Sequence, residues 1–443
     1  MSAPTPSTPN ETQSGAVAQD ATAAVPTARD NSAPTTVAAD LQDERLLRRE
    51  GLRGAATAFG TRVRTGDIGS LPVFLGLIVI WIVFQILNPR FLSATNLVDL
   101  TLQCAALGTI ALGVVVVLLV AQIDLSIGSL AGLSSAILGV TFVSWQWPIW
   151  LSIVVALVIG AAIGYIYGFL FTRFGVPTFV VTLAGLMGFL GLQLWVLGPT
   201  GTINLPYNSW IVQFATTWFL PPWLAYTIAG LVVLGIVFND VTRARRRAKA
   251  GLSTGPASLI VIKAVAIAIV AVVAIAWLAT NRGVAVSFLL FIVLVAVMAS
   301  LLTRTRWGRW IYAVGGNEEA ARRAGINVKA IYISALMVGT TLATLGGIML
   351  AARLTAASIS SGGGTTNLVA IAAAVIGGTS LFGGRGSAWS ALLGIFVIQS
   401  IFNGLTLLSL DSDVQFMVTG AVLLLAVIID SLSRRTRASH GQA

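Results

Sequence analysis

The side chains that usually do chemistry are scarce in this sequence. The chain holds one histidine, His440, in its C-terminal tail, and one cysteine, Cys104, in an apolar run. That leaves no basis for a histidine metal centre, a Cys–His nucleophile pair or an internal disulfide. No G-x-x-x-x-G-K-[ST] occurs. The glycine runs 362-GGG-364 and 383-GG-384 lack the lysine and hydroxyl of a phosphate-cradling loop. No catalytic residue, metal ligand or bound cofactor is therefore expected. If ATP supplies energy, another subunit must bind it. Of the sixteen carboxylates, only Asp99 and Asp124 fall near the apolar interior, each at the edge of an apolar stretch. A charge at the centre of a bilayer costs on the order of 2.5–3.5 kcal/mol, so it needs a reason. Asp124, within 121-AQIDLSIGS-129, reads either as an N-cap taking N–H groups of the next turn or as a functional group. Buried charge pairs are nearly absent, which disfavours proton coupling. Sodium coupling through carbonyls and hydroxyls stays open.

The segment 315-GGNEEAARRAGINV-328 is the most informative polar stretch. Asn317 is a good N-cap, and Glu318 and Glu319 complement the helix dipole in the first turn. Arg322 and Arg323 sit at the opposite end, and Gly325 is placed to terminate the helix. Such a helix is too short to stand alone in water. Either its own loops or a partner must hold it.

The elements that position these groups follow from composition. Of 443 residues, 56% are hydrophobic and 10% charged, against roughly 45–50% and 25% in an ordinary soluble domain. Mean hydropathy is +0.89. The net charge of +11 does not point to nucleic acid, because the arginines gather between long uncharged stretches. A bilayer crossing needs about 20 apolar helical residues. Twelve candidates are read: 71–88, 97–121, 125–145, 149–172, 176–197, 223–239, 258–280, 284–302, 330–351, 367–382, 387–409 and 413–432. One or two are short or glycine-broken enough to be re-entrant. The expected fold is an all-α polytopic membrane protein of about 10–12 transmembrane helices.

Six arginines between Arg45 and Arg64 precede the first stretch and should hold that end in the cytoplasm. Parity then places Arg173, the basic loop Arg243–Lys249, Arg304, Arg306, Arg309, Arg385 and the C-terminal Arg434, Arg435 and Arg437 inside too. Both termini are therefore expected to be cytoplasmic. Tryptophans 145, 147 and 150, and then 210, 218 and 223, cluster at two expected outer turns, as interfacial anchors do. Gly160, Gly164 and Gly168 form a small-xxx-small ladder, and Gly128 and Gly132 another. These ladders read as helix packing rather than solute binding. Residues 1–40, rich in Ala, Thr, Ser and Pro, read as a disordered tail and not as a cleaved signal. The expected organisation is this tail, a basic juxtamembrane segment 41–69, a membrane domain 70–433 and a tail 434–443.

Four stretches, 123-IDLSIGS-129, 175-GVPTFVVTLAGL-186, 304-RTRWGRWIYAVGGNEEAARRAGI-326 and 370-AIAAAVIGGTSLFGGRGS-387, together with 403-NGLTLL-408, resemble the membrane permeases of bacterial ABC monosaccharide importers of the ribose, galactose and xylose type. The extra length of 240–303 and the wording GGNEEAARRAGINV look most like the xylose branch. The long tail, and Asn367 in 361-SGGGTTNLV-369 where acidic residues are usual, depart from the pattern. The resemblance implies a bacterial inner-membrane permease that works as two copies. Its partners would be an ABC ATP-binding subunit and an extracytoplasmic sugar-binding protein, with no nucleic acid. It also implies that Gly316, Asn317, Glu318, Glu319, Arg322, Arg323 and Gly325, within a coupling segment of about 303–329, transmit motion from the ATPase. Asp124, Gln193, Asn204, Asn367, Gln399 and Asn403 could meet sugar hydroxyls along the path, or equally satisfy neighbouring helix backbone. The competing reading is an ion-coupled carrier of the major facilitator type. It draws on the twelve stretches and on 306-RWGR-309. An integral membrane enzyme lacks the clustered groups it would need.

Overall fold

The computed structural model describes residues 71–251 and 257–418, with 420, 421 and 424. The expected tails 1–40 and 434–443, the segment 41–69 and much of 413–432 lie outside these residues. The chain runs through α1 (Leu71–Leu87), α2 (Ala94–Leu119), α3 (Ile127–Gly139, continued by a π-helical turn to Ser144), α4 (Ile149–Phe174) and α5 (Thr178–Leu197). A linking region follows, with β1 (Thr202–Asn204), α6 (Trp210–Thr216) and β2 (Phe219–Leu220). Next come α7 (Pro222–Lys249), α8 (Ala257–Ala279), β3 (Val284–Ala285) and α9 (Val286–Arg304). Then α10 (Arg306–Gly316), α11 (Glu318–Arg323), α12 (Val328–Leu354), β4 (Ala356–Ser358), α13 (Gly364–Ile376) and α14 (Ala388–Leu407) complete the order.

Among the described residues, nine helices are long and apolar enough to cross a membrane. The expected crossing at 367–382 is not one of them. The helix there has 13 residues, roughly 20 Å at 1.5 Å per residue, against a core of about 30 Å. It stops where Gly377 and Gly378 follow, the latter at φ +101°. The expected basic loop at 243–249 is also corrected. Those residues are the last turns of α7, since Ala, Arg and Lys all favour helix.

The centre of the bundle is α2, whose membrane-length window is 89% buried. It packs on α12, α13 and α14, and α12 in turn packs on α3 and α4. The glycine ladder of α4 lies on α12 as its spacing suggests. A Cβ at Gly164 would sit 2.6 Å from Met337 Cα, and one at Gly168 would sit 2.6 Å from Ile333 Cα. These approaches leave no room for a side chain. Two antiparallel strand pairs, β1 with β4 and β2 with β3, join the helix ends on one side of the bundle. Gly164→Val should push α4 off α12 and cost about 1–3 kcal/mol by overpacking. Gly188→Val, where nothing lies within 4 Å, should be neutral. Thermal unfolding of the two variants in detergent checks the difference.

Candidate translocation path and coupling segment

The interior polar groups collect where α3 begins. Between α2 and α3 the chain runs unwound through residues 122–124. Ser126, not Asp124, occupies the N-cap position of α3. Asp124 lies two residues earlier and is 4% exposed. Its Oδ1 accepts from the Ser126 N–H at 2.8 Å and the Ser126 hydroxyl at 2.7 Å. Tyr167 of α4 donates to Ser126 Oγ at 3.0 Å. Asp124 Oδ2 has no partner.

Asn367, near the start of α13, reaches the same break. Its Oδ1 accepts from the Gly128 N–H at 3.3 Å, and its Nδ2 donates to the Leu125 carbonyl. Gln193 of α5 is fully buried. Its Nε2 donates to the carbonyls of Ser358 and Ser361 at 2.8 and 2.9 Å. Gln193 Oε1 is left without a partner. The Gly128–Gly132 ladder faces the start of α13, Gln193 of α5 and the loop at Ser361. A Cβ at Gly128 would meet Asn367, and one at Gly132 would meet Gln193 and the Ser361 carbonyl. Asn367 and Gln193 thus line one side of α3, and Asp124 Oδ2 and Gln193 Oε1 are buried acceptors without a partner.

The other amides lie elsewhere. Asn403 of α14 exchanges hydrogen bonds with Asn96 of α2 at 2.7 and 2.9 Å. Gln399, one turn earlier, is buried on the same helix. Asn204 lies in β1, paired opposite Ala356. Sequence reasoning did not single out Ser126, Tyr167, Thr182 or the carbonyls of 358–361. Hydroxyls inside apolar helices were the available signal, but nothing local says which of them face a break.

The segment 317–325 folds as its residues suggest. Asn317 Oδ1 accepts from the Ala320 N–H at 2.9 Å. At the other end, Gly325 has φ +80°. Its N–H reaches the Arg322 carbonyl, and the Ile326 N–H reaches Ala321, the paired bonds of a Schellman cap. Glu318–Arg322 (2.5 Å) and Glu319–Arg323 (3.3 Å) ion pairs run along it. The chain itself holds this short helix: Ala321 is buried, and Tyr332 of α12 donates to Glu318 Oε2 at 3.0 Å. Glu319, Arg322 and Arg323 remain exposed. Gly315, at the end of α10, abuts the Leu119 carbonyl that closes α2, and Tyr312 donates to Gly386 at 2.9 Å.

The Asn96–Asn403 pair clamps α2 to α14. Asn403→Leu should leave Asn96 Oδ1 without a donor, while its Nδ2 keeps the Phe91 carbonyl at 2.7 Å, and cost about 1–3 kcal/mol. Replacing both residues by Leu should recover part of that loss, as unfolding midpoints of the single and double variants would show.

The family model described as branched-chain amino acid transport system, permease component, matches residues 96–427. The xylose transport system permease protein XylH of Escherichia coli K12 is 38% identical over 346 residues, covering 78% of this chain and 87% of the relative. XylH of Haemophilus influenzae is 33% identical, covering 83% and 98%. The ribose import permease protein RbsC of Bacillus subtilis is 33% identical, covering 82% and 94%. No solved structure gives a significant match. The match spans three quarters of the chain, including the broken helices and the 317–325 segment. The nine long apolar helices among the described residues agree with it. The chain therefore belongs to this permease family, as a multi-pass membrane subunit of an ABC importer and not a carrier of the major facilitator type.

Proposed function

We propose that this permease forms the membrane path for a monosaccharide, xylose or a related pentose or hexose, in an ATP-driven importer of the bacterial plasma membrane. The relatives named for xylose, ribose and fructose support a sugar over the amino acids of the family description. Two copies form the path, a separate subunit binds and hydrolyses ATP, and an extracytoplasmic binding protein delivers the sugar. The basic clusters support cytoplasmic termini.

The observation that carries the reading is the preformed, doubly capped helix α11 with its exposed charged face. Its docking on the ATP-binding subunit would load Tyr332 and α12, and α10 would load the end of α2. Those two helices hold α3 and α13, so motion at α11 reaches the broken helices through packed elements. On the path, Asp124 Oδ2 and Gln193 Oε1 are buried acceptors that sugar hydroxyls would fill. Asn367 supports the break between them. Gln399 and Asn403 contribute through α14.

Reconstitution with the ATP-binding subunit tests the coupling role. Glu319→Lys and Gly325→Val should lower association, sugar-stimulated ATP hydrolysis and uptake together, with selectivity among sugars unchanged. Full uptake and normal association in both variants would remove α11 from the coupling role. Asp124→Asn should lower uptake about fivefold to tenfold, the value of one hydrogen bond, while association stays normal. Titrating the partner binding protein with pentoses, hexoses and branched-chain amino acids identifies the solute, and exclusive amino-acid binding would refute the sugar reading.

A further inference from the structure

Helices α7 and α8 form a hairpin set apart from the bundle. Only 6% of each membrane-length window is buried. The two helices pack on each other, and Lys263 reaches Asp240 across them at 2.8 Å. At one end the hairpin is fastened to the body. Trp277 Nε1 donates to the Leu92 carbonyl at 2.8 Å, and Asn281 Nδ2 donates to Thr95 Oγ1 at 3.0 Å. Arg282 pairs with Asp99 at 2.6 Å and lies 5.1 Å from the Phe219 ring. Beside this fastening, a crevice of about 260 Å³ opens between the hairpin and α9. Ala225 and Ala229 of α7, Ala271 and Ala274 of α8, and Phe288 and Ile292 of α9 line it. Spacings of four and three place each alanine pair on one helix face.

Every lining residue is alanine, a larger aliphatic or phenylalanine, so the crevice offers nothing to hold water. All three walls are membrane-length apolar helices. The medium at its mouth is therefore hydrocarbon. Small residues in lipid usually let backbones close on one another, yet here the alanines leave a gap that the protein does not fill. The far end of the hairpin carries Arg243, Arg245, Arg246 and Lys249. A second copy docked isologously along it would bring two such basic ends together. Anionic headgroups suit them instead.

From these features we infer that the crevice is a phospholipid site, in which one acyl chain lies between α7, α8 and α9 and completes the packing of the hairpin onto the bundle. Among the described residues the hairpin is fastened at one end, so the wedged chain sets its angle. Loss of that lipid would loosen α8 from α2.

Photolabelling of the full chain tests the site. The protein is reconstituted in phosphatidylethanolamine–phosphatidylglycerol vesicles whose lipids carry a diazirine on one acyl chain. Adducts on Ile228, Ile275 and Phe288 should exceed those on the exposed Val270 and Leu234 by at least fivefold. The double variant Ala229→Phe/Ala271→Phe should abolish that excess. It should also remove a phospholipid that native mass spectrometry finds retained through delipidation. Leu234→Phe, with the same bulk on the outer face, should change neither reading. Equal labelling of crevice and exposed positions in the unaltered chain would overturn the proposal, even if the double variant fails to fold. So would an efficient disulfide between two copies carrying Ala229→Cys, which would assign the crevice to a second subunit.

Discussion

Two helices of this permease start inside the bundle, and a helix that starts there brings its unpaired N–H groups with it. In lipid those groups find no water, so protein must satisfy them. Ser126 makes no side-chain cap at the start of α3. The Asn367 amide takes the Gly128 N–H instead, and the Thr182 hydroxyl takes that of Leu125 at 3.1 Å. Residues 355–363 need the same service, and Gln193 answers two of their carbonyls. Three distant segments are thus bound to one break by side-chain amides and hydroxyls. The glycines at 128 and 132 exist in this frame to let that loop and α13 lie against the α3 backbone.

On the proposed function, the same constraint suits the break to a polar solute. Any unwound stretch at membrane depth must border protein or an aqueous cavity. Here it also presents Asp124 Oδ2 and Gln193 Oε1 without donors. An acceptor left bare costs about 1–3 kcal/mol, which a hydroxyl-rich solute would relieve in passing. A site that bound too well would trap its solute, so a few unfilled acceptors suit transport better than a complete cage. On the proposed function, selectivity then rests mainly with the binding protein.

Much of this was legible in the residues, in proportion to how local the cause is. The caps of α11 could be read one by one, because Asn317 and Gly325 act within four residues of themselves. The ladder at 160, 164 and 168 announced a close helix contact, though not that α12 would supply it. The second ladder also marked close packing, though not that its neighbours would be the start of α13, Gln193 of α5 and the loop at Ser361. Asn96 and Asn403 stand 307 residues apart in sequence, and no periodicity links them. The basic run after Thr242 invited a loop because charge ends a span, but it does not end a helix. Strands of two and three residues left no pattern, since β1 exists only because β4 lies beside it.

The bundle uses small residues in two opposed ways, and the contrast follows from what surrounds them. On α4 and α12, glycines bring backbone against backbone, so the α2–α4–α12 core is packed with little slack. On the proposed function, such packing would carry a displacement from α10 and α11 to the break with little lost in side-chain rearrangement. On α7 and α8, alanines face a gap bordered by lipid, and among the described residues polar bonds around residues 277–282 tie the hairpin to the bundle. Lipid can fill such a gap in many conformations, whereas a protein side chain fills it in one. An element packed this way can follow the core as it moves, or stay with the membrane, at little cost. The rigid half of the molecule is therefore built on the residue that admits no neighbour's side chain, and the compliant half on the residue that leaves room for a solvent molecule of the bilayer.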